Sequence, residues 1–523
     1  MRRVLIDGEH LTIETVIAVS RSGAQLKIAQ KAREKVARSR QVLEEIVGKK
    51  KVVYGVTTGF GAFGSVAIPS KRIRELQSNL IRSHSAGVGK PLDRDVTRAL
   101  MLLRANTLAK GNSGIKLNTI ETLVQMINKG VHPLIPEKGS VSASGDLAPL
   151  SHMTLVMMGE GEAELEGATL DGREAMRKAG IVPVTLDSKE GIALNNGTQM
   201  VTAIGALAVY DAEGLIRTAE IAAALSLEAL NGISDAFDER IHLVRPHPGQ
   251  IETAQNVRLL TAGSEIIKSS LQAMEEAGKS ERRSPQDPYS LRCVPQVLGA
   301  ASDAVKYARR AIETEINSAT DNPLVFADDR DCLSGGNFHG QPIAIAMDLL
   351  GMALTIVGNM SERRIARLID ESLSHGLPPF LIHREVDKGI HSGFMSVQYT
   401  AAALASENKV MAHPASVDSI PTSANFEDFV SMGSIAARKA MKILGNVEHI
   451  VAIELLCAAQ GAEFRGPQKL GRGTSAAYSL IRERVPLLKE DRVLAKDIET
   501  AAELVRSGEL VEAVEQAISD KAD

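Results

Sequence analysis

The sequence predicts a mostly α-helical protein, with a loop-rich N-terminal part and a long helical bundle after it. Up to about residue 195, short segments punctuated by glycine and proline alternate with helical patterns, as in VVYGVTTGFGAFG and VHPLIPEKGS. From residue 196 onward, long runs rich in Ala, Leu and Glu exceed the ~11–12 residues of an average helix. These runs are apolar nearly all round, which is typical of helices in the middle of a bundle.

The individual elements follow from the same patterns in chain order. The N-terminal domain, residues 1–195, is predicted to contain helices over 24–48, 70–83, 92–110 and 116–129. The central long-helix bundle, residues 196–465, is predicted to contain helices over 196–232, 250–277, 295–318, 340–370, 394–412 and 430–462. Residues 466–523 are more charged, and we expect them to form C-terminal surface helices.

The composition argues against nucleic-acid and membrane partners and favours a reducing compartment. The 60 Lys and Arg against 64 Asp and Glu show no basic excess that would point to nucleic acid, and the scarcity of aromatics (3%, no Trp) argues against a stacking platform for single strands. The three cysteines lie far apart and form no disulfide framework, which favours a reducing cytoplasm. Polar or charged residues interrupt the apolar stretches 198–231 and 340–358, so we expect core helices and no membrane partner.

Three familiar motif types can be set aside. GFGAFG at 59–64 matches the dinucleotide-binding pattern, but no helix opens after it and no acid follows at the required spacing. AGVGKP at 86–91 ends like a phosphate-binding loop but lacks the first glycine. The twelve histidines show no strong ligand spacing, so no metal site is predicted.

The small residues of the stretch SVSASGDLAPLSHM at 140–153 permit a different kind of chemistry. In Ala143-Ser144-Gly145, a residue without Cβ at position 145 lets its nitrogen approach the carbonyl carbon two residues back. Loss of water then closes a five-membered ring, and dehydration of the middle serine leaves an exocyclic methylidene, which is an electrophile. On the tripeptide alone, a Ser/Gly turn with Asp146 capping the next segment is the more economical interpretation.

The flanking sequence favours the electrophile. SVSASGDLAPLSHM resembles the signature of ammonia-lyases that carry a methylideneimidazolone (MIO) group. Six further blocks resemble active-site segments of that family, in the family's order: VVYGVTTGFG (52–61), NLIRSHSAGVG (79–89), ALNNGTQ (193–199), QDPYSLRCVPQVLGA (286–300), GGNFHG (335–340) and SVDSIPTSANFED (416–428). The resemblance implies a fold of the fumarase/aspartase-like superfamily. It also implies a homotetramer whose active sites combine residues from three chains.

The resemblance also implies roles for individual residues. Ala143, Ser144 and Gly145 form the MIO group, so that no external cofactor is needed, and Tyr54 is the base that removes the β-proton of an amino acid substrate. The phenol has an ordinary pKa near 10, so its pKa must be lowered for that role. Arg292 fits a bidentate clamp on the substrate carboxylate. The residues expected around the electrophile or the bound substrate are Asn196, Gln286, Tyr289 and Phe338.

The choice of substrate depends on the side-chain pocket. Ser83-His84 resembles the pair in histidine-specific members, and Glu427 can accept a hydrogen bond from an imidazole N–H. These features predict histidine ammonia-lyase activity, which yields trans-urocanate. Histidine-specific members usually read SANQEDHVSM, however, and here Phe426 and Phe429 replace Gln and His, while Val294 stands where they usually have Gln.

Several alternatives remain open at this level. The apolar replacements could repack the pocket harmlessly, or tune it toward phenylalanine or tyrosine. An aminomutase uses the same electrophile and returns ammonia to the β-carbon, and nothing in the sequence separates it from a lyase. A binding protein with a dead site would lack Ser144, Tyr54 or Arg292, and all three are present. A fumarase-like enzyme with an unmodified serine base would carry a GSSxMPxKxN-type loop, which is absent.

Overall fold

The structure is a computed structural model, and it describes residues 3–49, 51–277, 284–383, 386–387 and 389–519. The described chain is mostly helical, and its strands form only small sheets. It divides into two compact units, each assembled from separate segments of the chain. The first unit comprises residues 1–210, 308–348 and 414–438, and the second comprises 211–307, 349–413 and 439–523. The sequential boundaries at 195 and 465 stay a prediction.

The strands and shorter helices alternate through the first part of the chain. In chain order they are β1 Arg3–Ile6, α1 Ile13–Ser20, β2 Gln25–Ile28, α2 Gln30–Gly48, α3 Ile73–His84, β3 Val88–Pro91, α4 Arg94–Ala109, α5 Leu117–Lys129, β4 His132–Pro133, β5 Pro136–Lys138, α6 Leu147–Met157, β6 Glu162–Leu165, β7 Ala168–Asp171, α7 Gly172–Lys178 and α8 Glu190–Asn195. Strands β1 and β2 pair in parallel, whereas β3–β5 and the three-stranded sheet β4-β6-β7 are antiparallel.

Longer helices dominate the rest of the chain. They are α9 Gln199–Ala229, α10 Glu239–Leu243, α11 Pro248–Leu260, α12 Ser270–Ala277, α13 Tyr289–Arg292, α14 Val294–Glu315, the antiparallel pair β8 Leu324–Phe326 and β9 Asp331–Leu333, α15 Gln341–Ile369, α16 Met395–Met411, α17 Gly433–Arg465, α18 Arg472–Arg484, α19 Leu494–Ser507 and α20 Glu509–Ser519. Short 3₁₀ turns lie at Gly61–Phe63, Ser70–Arg72, Ser234–Phe237, Pro379–Leu381, Ser423–Asn425 and Pro467–Lys469.

Two of the predicted helices are wrong in part. The segment predicted as helix over 24–48 begins with strand β2, whose residues alternate between buried and more exposed positions and which pairs with β1. The helix starts only at Gln30. The segment predicted over 250–277 is two helices, α11 and α12. Thr261 leaves the helical conformation and Gly263 adopts a left-handed one (φ +81°), which ends the first helix.

The helices of the first unit that position the site pack against each other. Helix α3 buries Ile73, Gln77, Leu80 and Ile81, which recur at helical spacing along one face. Helices α6 and α8 pack on α3 and on each other. His84 is the last residue of α3, the loop 140–146 leads into α6, and Asn196 follows α8, so the residues at these three helix ends belong to one packed group of helices.

Two of the long helices meet the length and hydropathy of a membrane span. They are α15 and α17, with mean hydropathy 1.8 and 1.3 in their most apolar windows. Of those windows, 67% and 83% of the residues are buried within the structure, which is the environment of a core helix.

Candidate active site

A cavity of about 1140 Å³ in the first unit brings together most of the residues singled out in the sequence. The walls are largely apolar and include several aromatic side chains, as is common in sites for small ligands. Among the predicted site residues, those that line the cavity are Tyr54, His84, Ala143, Ser144, Asn196, Phe338 and Glu427.

Residues 196–197, which follow α8, hold the tripeptide 143–145 through backbone and side-chain hydrogen bonds. Gly145 and Gly197 form a parallel β-bridge, and the Asp146 N–H donates to the Gly197 carbonyl oxygen over 2.7 Å. The Asn196 side-chain amide donates to the Ser144 carbonyl oxygen over 2.6 Å. Gly145 has a φ of +73°, and a Cβ there would lie 2.3 Å from the Gly197 carbonyl oxygen, so only glycine fits.

The segment 430–434 holds residues 141–143, which lead into and begin the tripeptide. The Met432 N–H donates to the Val141 carbonyl oxygen over 3.0 Å, and the Ser431 hydroxyl donates to the Ser142 carbonyl oxygen over 2.9 Å. Ala143 packs in a small buried cluster with Val430 and Met432. The loop is thus fastened on both sides and presents Ser144, which is only half-buried, to the cavity.

Asp146 anchors the loop to the start of α9. It occupies the N-cap position of α6 but makes no capping hydrogen bond there. Its carboxylate instead accepts from the N–H groups of Met200 and Val201, each over 2.9 Å, and from the Ser140 hydroxyl over 2.9 Å. Complete burial raises the pKa of Asp146 to about 6, against the lowering effect of these bonds and of the Arg104 charge.

Tyr54 lies beside the cavity between two phenylalanines. Its ring stacks on Phe426 (centroids 6.5 Å apart, planes at 11°) and meets Phe60 edge-on. Its oxygen accepts a hydrogen bond from the Gly61 N–H over 2.8 Å. Burial raises the pKa of Tyr54 above 10, and the Glu427 charge raises it further, whereas the Gly61 N–H lowers it. The lowering expected from the sequence is therefore not achieved by these neighbours alone.

His84 and Glu427 form the polar end of the cavity. The His84 Nδ1–H donates to the Leu80 carbonyl oxygen over 2.9 Å, which fixes the ring in the tautomer that leaves Nε2 as an acceptor. Burial lowers the pKa of His84, against the charge of Glu427 and the Leu80 bond. Glu427 accepts from the Ser144 hydroxyl, and from the Thr422 hydroxyl over 2.6 Å.

The turn that carries Glu427 is strained. Ser423, Ala424 and Asn425 all have φ between +51° and +64°, a left-handed conformation that residues with a Cβ rarely adopt in succession. Thr422 and Glu427 close the turn through two backbone hydrogen bonds. Because this geometry is maintained at the cavity wall, it fixes the position of the Glu427 carboxylate.

Three predicted site residues belong to the second unit and do not line this cavity. Tyr289 and Arg292 are the ends of α13, with the Arg292 guanidinium 4.6 Å above the Tyr289 ring centroid. Tyr289 is 69% exposed and Gln286 is also exposed. The Arg292 Nε atom is buried and has no hydrogen-bond partner among the described residues.

Sequence reasoning missed several residues that build the site. Gly197 and Thr422 lie inside the sequence blocks given above. Gly197 contacts Gly145 and Asp146 of another block, whereas Thr422 contacts Glu427 within its own block. Arg104 lies in an ordinary helical pattern and carries no motif signal, although it contacts the Asn196 carbonyl oxygen. The described residues contain no group of three or more His, Cys, Asp or Glu that could hold a metal ion.

The family profile of the aromatic amino acid lyases matches residues 11–483 of this chain. The chain belongs to the aromatic amino acid lyase family. This membership accounts for the shared order of the sequence blocks and for the mostly helical architecture.

Individual members of the lyase family are similar over their whole length. The chain is 55% identical over 518 residues to a histidine ammonia-lyase of Alkaliphilus oremlandii, covering 99% of both chains. Among solved structures, it resembles a tyrosine aminomutase of Streptomyces globisporus (42% identity, TM-score 0.93, 98% of both chains). It also resembles a histidine ammonia-lyase of Trypanosoma cruzi (43% identity, TM-score 0.90, 99% of this chain and 96% of the other).

Proposed function

We propose that this protein is a histidine ammonia-lyase, which eliminates ammonia from L-histidine without oxidation and releases trans-urocanate. The observation that carries the proposal is the contact of the Ser144 hydroxyl with Glu427 in a cavity that His84 also lines. It puts a candidate electrophile next to a carboxylate suited to an imidazole ring. The high identity to a histidine ammonia-lyase over the full length supports the same substrate.

The residues present fit an MIO group formed from Ala143, Ser144 and Gly145, without an external cofactor. Gly145 is packed so closely on Gly197 that no Cβ can be accommodated, and Asn196 holds the Ser144 carbonyl oxygen. These contacts favour the tight turn that ring closure requires. Once formed, the group supplies an electrophile that binds the substrate's amino group and makes it a better leaving group.

Tyr54 is the proposed base for the β-proton, which it takes up at its phenol oxygen. The Gly61 N–H donates to that oxygen and stabilises its anion. Burial and the Glu427 charge oppose ionisation, so a positive charge must act on the phenol when substrate binds. Arg292 and the substrate's own ammonium group are the candidates. Phe338 contributes to the wall that excludes water around the reacting atoms.

His84 and Glu427 are proposed to select the imidazole ring. The Glu427 carboxylate accepts a ring N–H, and the free Nε2 of His84 offers a second acceptor. A phenyl ring makes neither bond, and it would leave the Glu427 carboxylate desolvated with no ring N–H to add to its bond from the Thr422 hydroxyl, which is unfavourable.

The site is proposed to be completed in a homotetramer, with each active site drawing residues from three chains. Arg292, Tyr289 and Gln286 are the contributions expected from other copies. Arg292 would hold the substrate carboxylate through two parallel hydrogen bonds, which a guanidinium forms better than an ammonium. Tyr289 and Gln286 would hold the electrophile or the bound substrate. We expect the enzyme to act in the cytoplasm, with no nucleic-acid or membrane partner.

A second candidate is an aminomutase or ammonia-lyase acting on tyrosine or phenylalanine. The stacking of Phe426 on Tyr54 favours it, because it makes the cavity wall more apolar than the usual Gln would. The similarity to a tyrosine aminomutase structure supports it as well.

An amino-acid panel assayed by product identity distinguishes these functions. We expect urocanate and ammonia from histidine. Cinnamate or coumarate from phenylalanine or tyrosine, with no urocanate, would overturn the assignment, and a β-amino acid would identify an aminomutase. Borohydride or cyanide should inactivate the enzyme, and Ser144→Ala should abolish activity while preserving the circular dichroism spectrum.

A further inference from the structure

Arg104 is a fully buried cation beneath the cavity wall. It lies on α4 and is one of the largest side chains of the structure with no exposed surface. Its Nη1 donates to the Asn196 carbonyl oxygen over 2.7 Å. Its Nε is buried without a hydrogen-bond partner among the described residues. Burying an arginine with one donor unused is costly, so its place here requires a structural reason.

The main chain that Arg104 holds is the one that holds the tripeptide. A Cβ on Gly197 would lie 2.9 Å from the Arg104 Nη2, so the guanidinium lies directly against this residue. On its other side, the Gly197 carbonyl oxygen accepts from the Asp146 N–H over 2.7 Å. Asn196 meanwhile donates to the Ser144 carbonyl oxygen over 2.6 Å. Residues 196–197 are thus held between the guanidinium and the loop.

The charge of Arg104 also acts on the loop. The negative charges of Asp321 and Asp146 in turn stabilise the charged form of the Arg104 guanidinium. Asp321 already has a buried ion pair with Lys189, at 2.7 Å. Asp146 has hydrogen bonds but no ion pair of its own in the described chain, and the Arg104 charge favours its ionised form. Burial lowers the pKa of Arg104 only to about 10, so the guanidinium is charged at neutral pH.

We propose that Arg104 is a positioning residue for the closure of the ring from Ala143, Ser144 and Gly145. This inference rests on the proposed function. In that closure the Gly145 nitrogen bonds to the Ala143 carbonyl carbon, and the carbonyl oxygen leaves as water with the amide protons of Gly145 and Ser144. Ser144 then loses its α-proton and its hydroxyl as a second water. Arg104 touches none of these atoms and acts through Asn196 and Gly197, which fix the turn.

The experiment compares three full-length variants with the native protein. Arg104→Met removes the charge and the donors at similar length. Arg104→Lys keeps the positive charge but has a single donor nitrogen in place of the three nitrogens of the guanidinium. Arg98→Met is the matched control, because Arg98 is a buried arginine on the same helix that donates to the Val19 and Ile127 carbonyl oxygens instead. For each purified protein, peptide mass spectrometry gives the fraction of the 143–145 segment that has lost two waters. Thermal unfolding gives the stability.

We expect ring closure in about a tenth or less of Arg104→Met chains, an intermediate fraction in Arg104→Lys, and native closure in Arg98→Met even where stability falls equally. Native closure in a folded Arg104→Met, or an equal defect in Arg98→Met, would overturn the inference. If Arg104→Met does not fold, Arg104→Lys decides, and a native fraction in that variant overturns it. A native protein that retains both waters would instead overturn the proposed function, and this inference with it.

Discussion

The backbone of Gly145 lies against that of Gly197, so closely that a Cβ on Gly145 would be 2.3 Å from the Gly197 carbonyl oxygen. The contact joins the tripeptide to the segment after α8 without any intervening side chain. A methyl group on Gly197 would meet Gln199, Thr320 and Arg104 atoms at 2.5–2.9 Å, and its φ of +148° disfavours other residues.

Gly197→Ala should therefore impair formation of the ring. We expect the fraction of chains that lose two waters, and the activity, to fall by about tenfold or more, because the turn is displaced. Peptide mass spectrometry and an activity assay measure both quantities. Gly48→Ala, at the exposed end of α2 with no neighbouring atom within 4 Å, is the control and should behave like the native protein. Equal maturation of both variants would contradict the expectation.

Tyr54→Phe should separate catalysis from maturation. Removing the phenol oxygen removes the proposed base, and we expect kcat to fall by about 10²–10⁴-fold. Loss of two waters from residues 143–145 should be unchanged, since the hydrogen bond of that oxygen is to Gly61. Tyr478→Phe, which removes a hydroxyl bonded to Glu463 in the second unit, serves as control. An active Tyr54→Phe variant would exclude Tyr54 as the base.

Glu427→Gln should lower kcat/KM for histidine by about 10- to 100-fold, the contribution of a hydrogen bond to a charged group. The loss with phenylalanine should be much smaller, because a phenyl ring forms no such bond. Thr422→Val removes only the hydroxyl that donates to Glu427, and it should give a smaller loss of the same kind. Steady-state kinetics on both substrates measure this selectivity. Equal losses for histidine and phenylalanine would argue against a role in ring recognition.

Phe426→Gln replaces an apolar wall of the cavity by the residue usual in histidine-specific members. Because Phe426 stacks on Tyr54 at the cavity, we expect the preference for histidine over phenylalanine to rise by about tenfold. The measurement is the ratio of kcat/KM values for the two substrates. An unchanged ratio would show that the replacement is harmless repacking.

His132 should make the protein sensitive to acid. Burial, followed by the Arg98 charge, lowers the pKa of His132 to about 4, and Arg98 donates to its Nε2 over 3.0 Å. The unfolded chain binds the proton near pH 6.5, before the folded chain does. Between pH 6.5 and about 4 the unfolded chain therefore gains a proton on His132 that the folded chain does not bind, and the free energy of unfolding decreases as the pH falls through this range. Melting temperatures at pH 7.5, 6 and 5 should fall less steeply for His132→Gln than for the native protein, and parallel curves would contradict this.

Much of the fold was predictable because helix formation depends on local spacing. The segment 340–370 is one helix over Gln341–Ile369, and 394–412 is one helix over Met395–Met411. The errors arose where local pattern was overridden. Strand β2 forms because β1, more than twenty residues earlier, offers it a partner. The break after Leu260 depends on a left-handed glycine that a helical pattern tolerates.

For the site, the sequence by itself predicted a set of segments: the small residues of 143–145 permit a ring, and the residues Tyr54, His84, Asn196, Phe338 and Glu427 of the other blocks all line one cavity. Only the tertiary structure decided their partners. Ser144 and Glu427 are 283 positions apart, and Arg104 and Asn196 are 92 apart. The periodicity of apolar residues extends over a few turns of helix, so it predicts which face of a helix or strand is buried. Contacts between distant segments depend on how those faces pack.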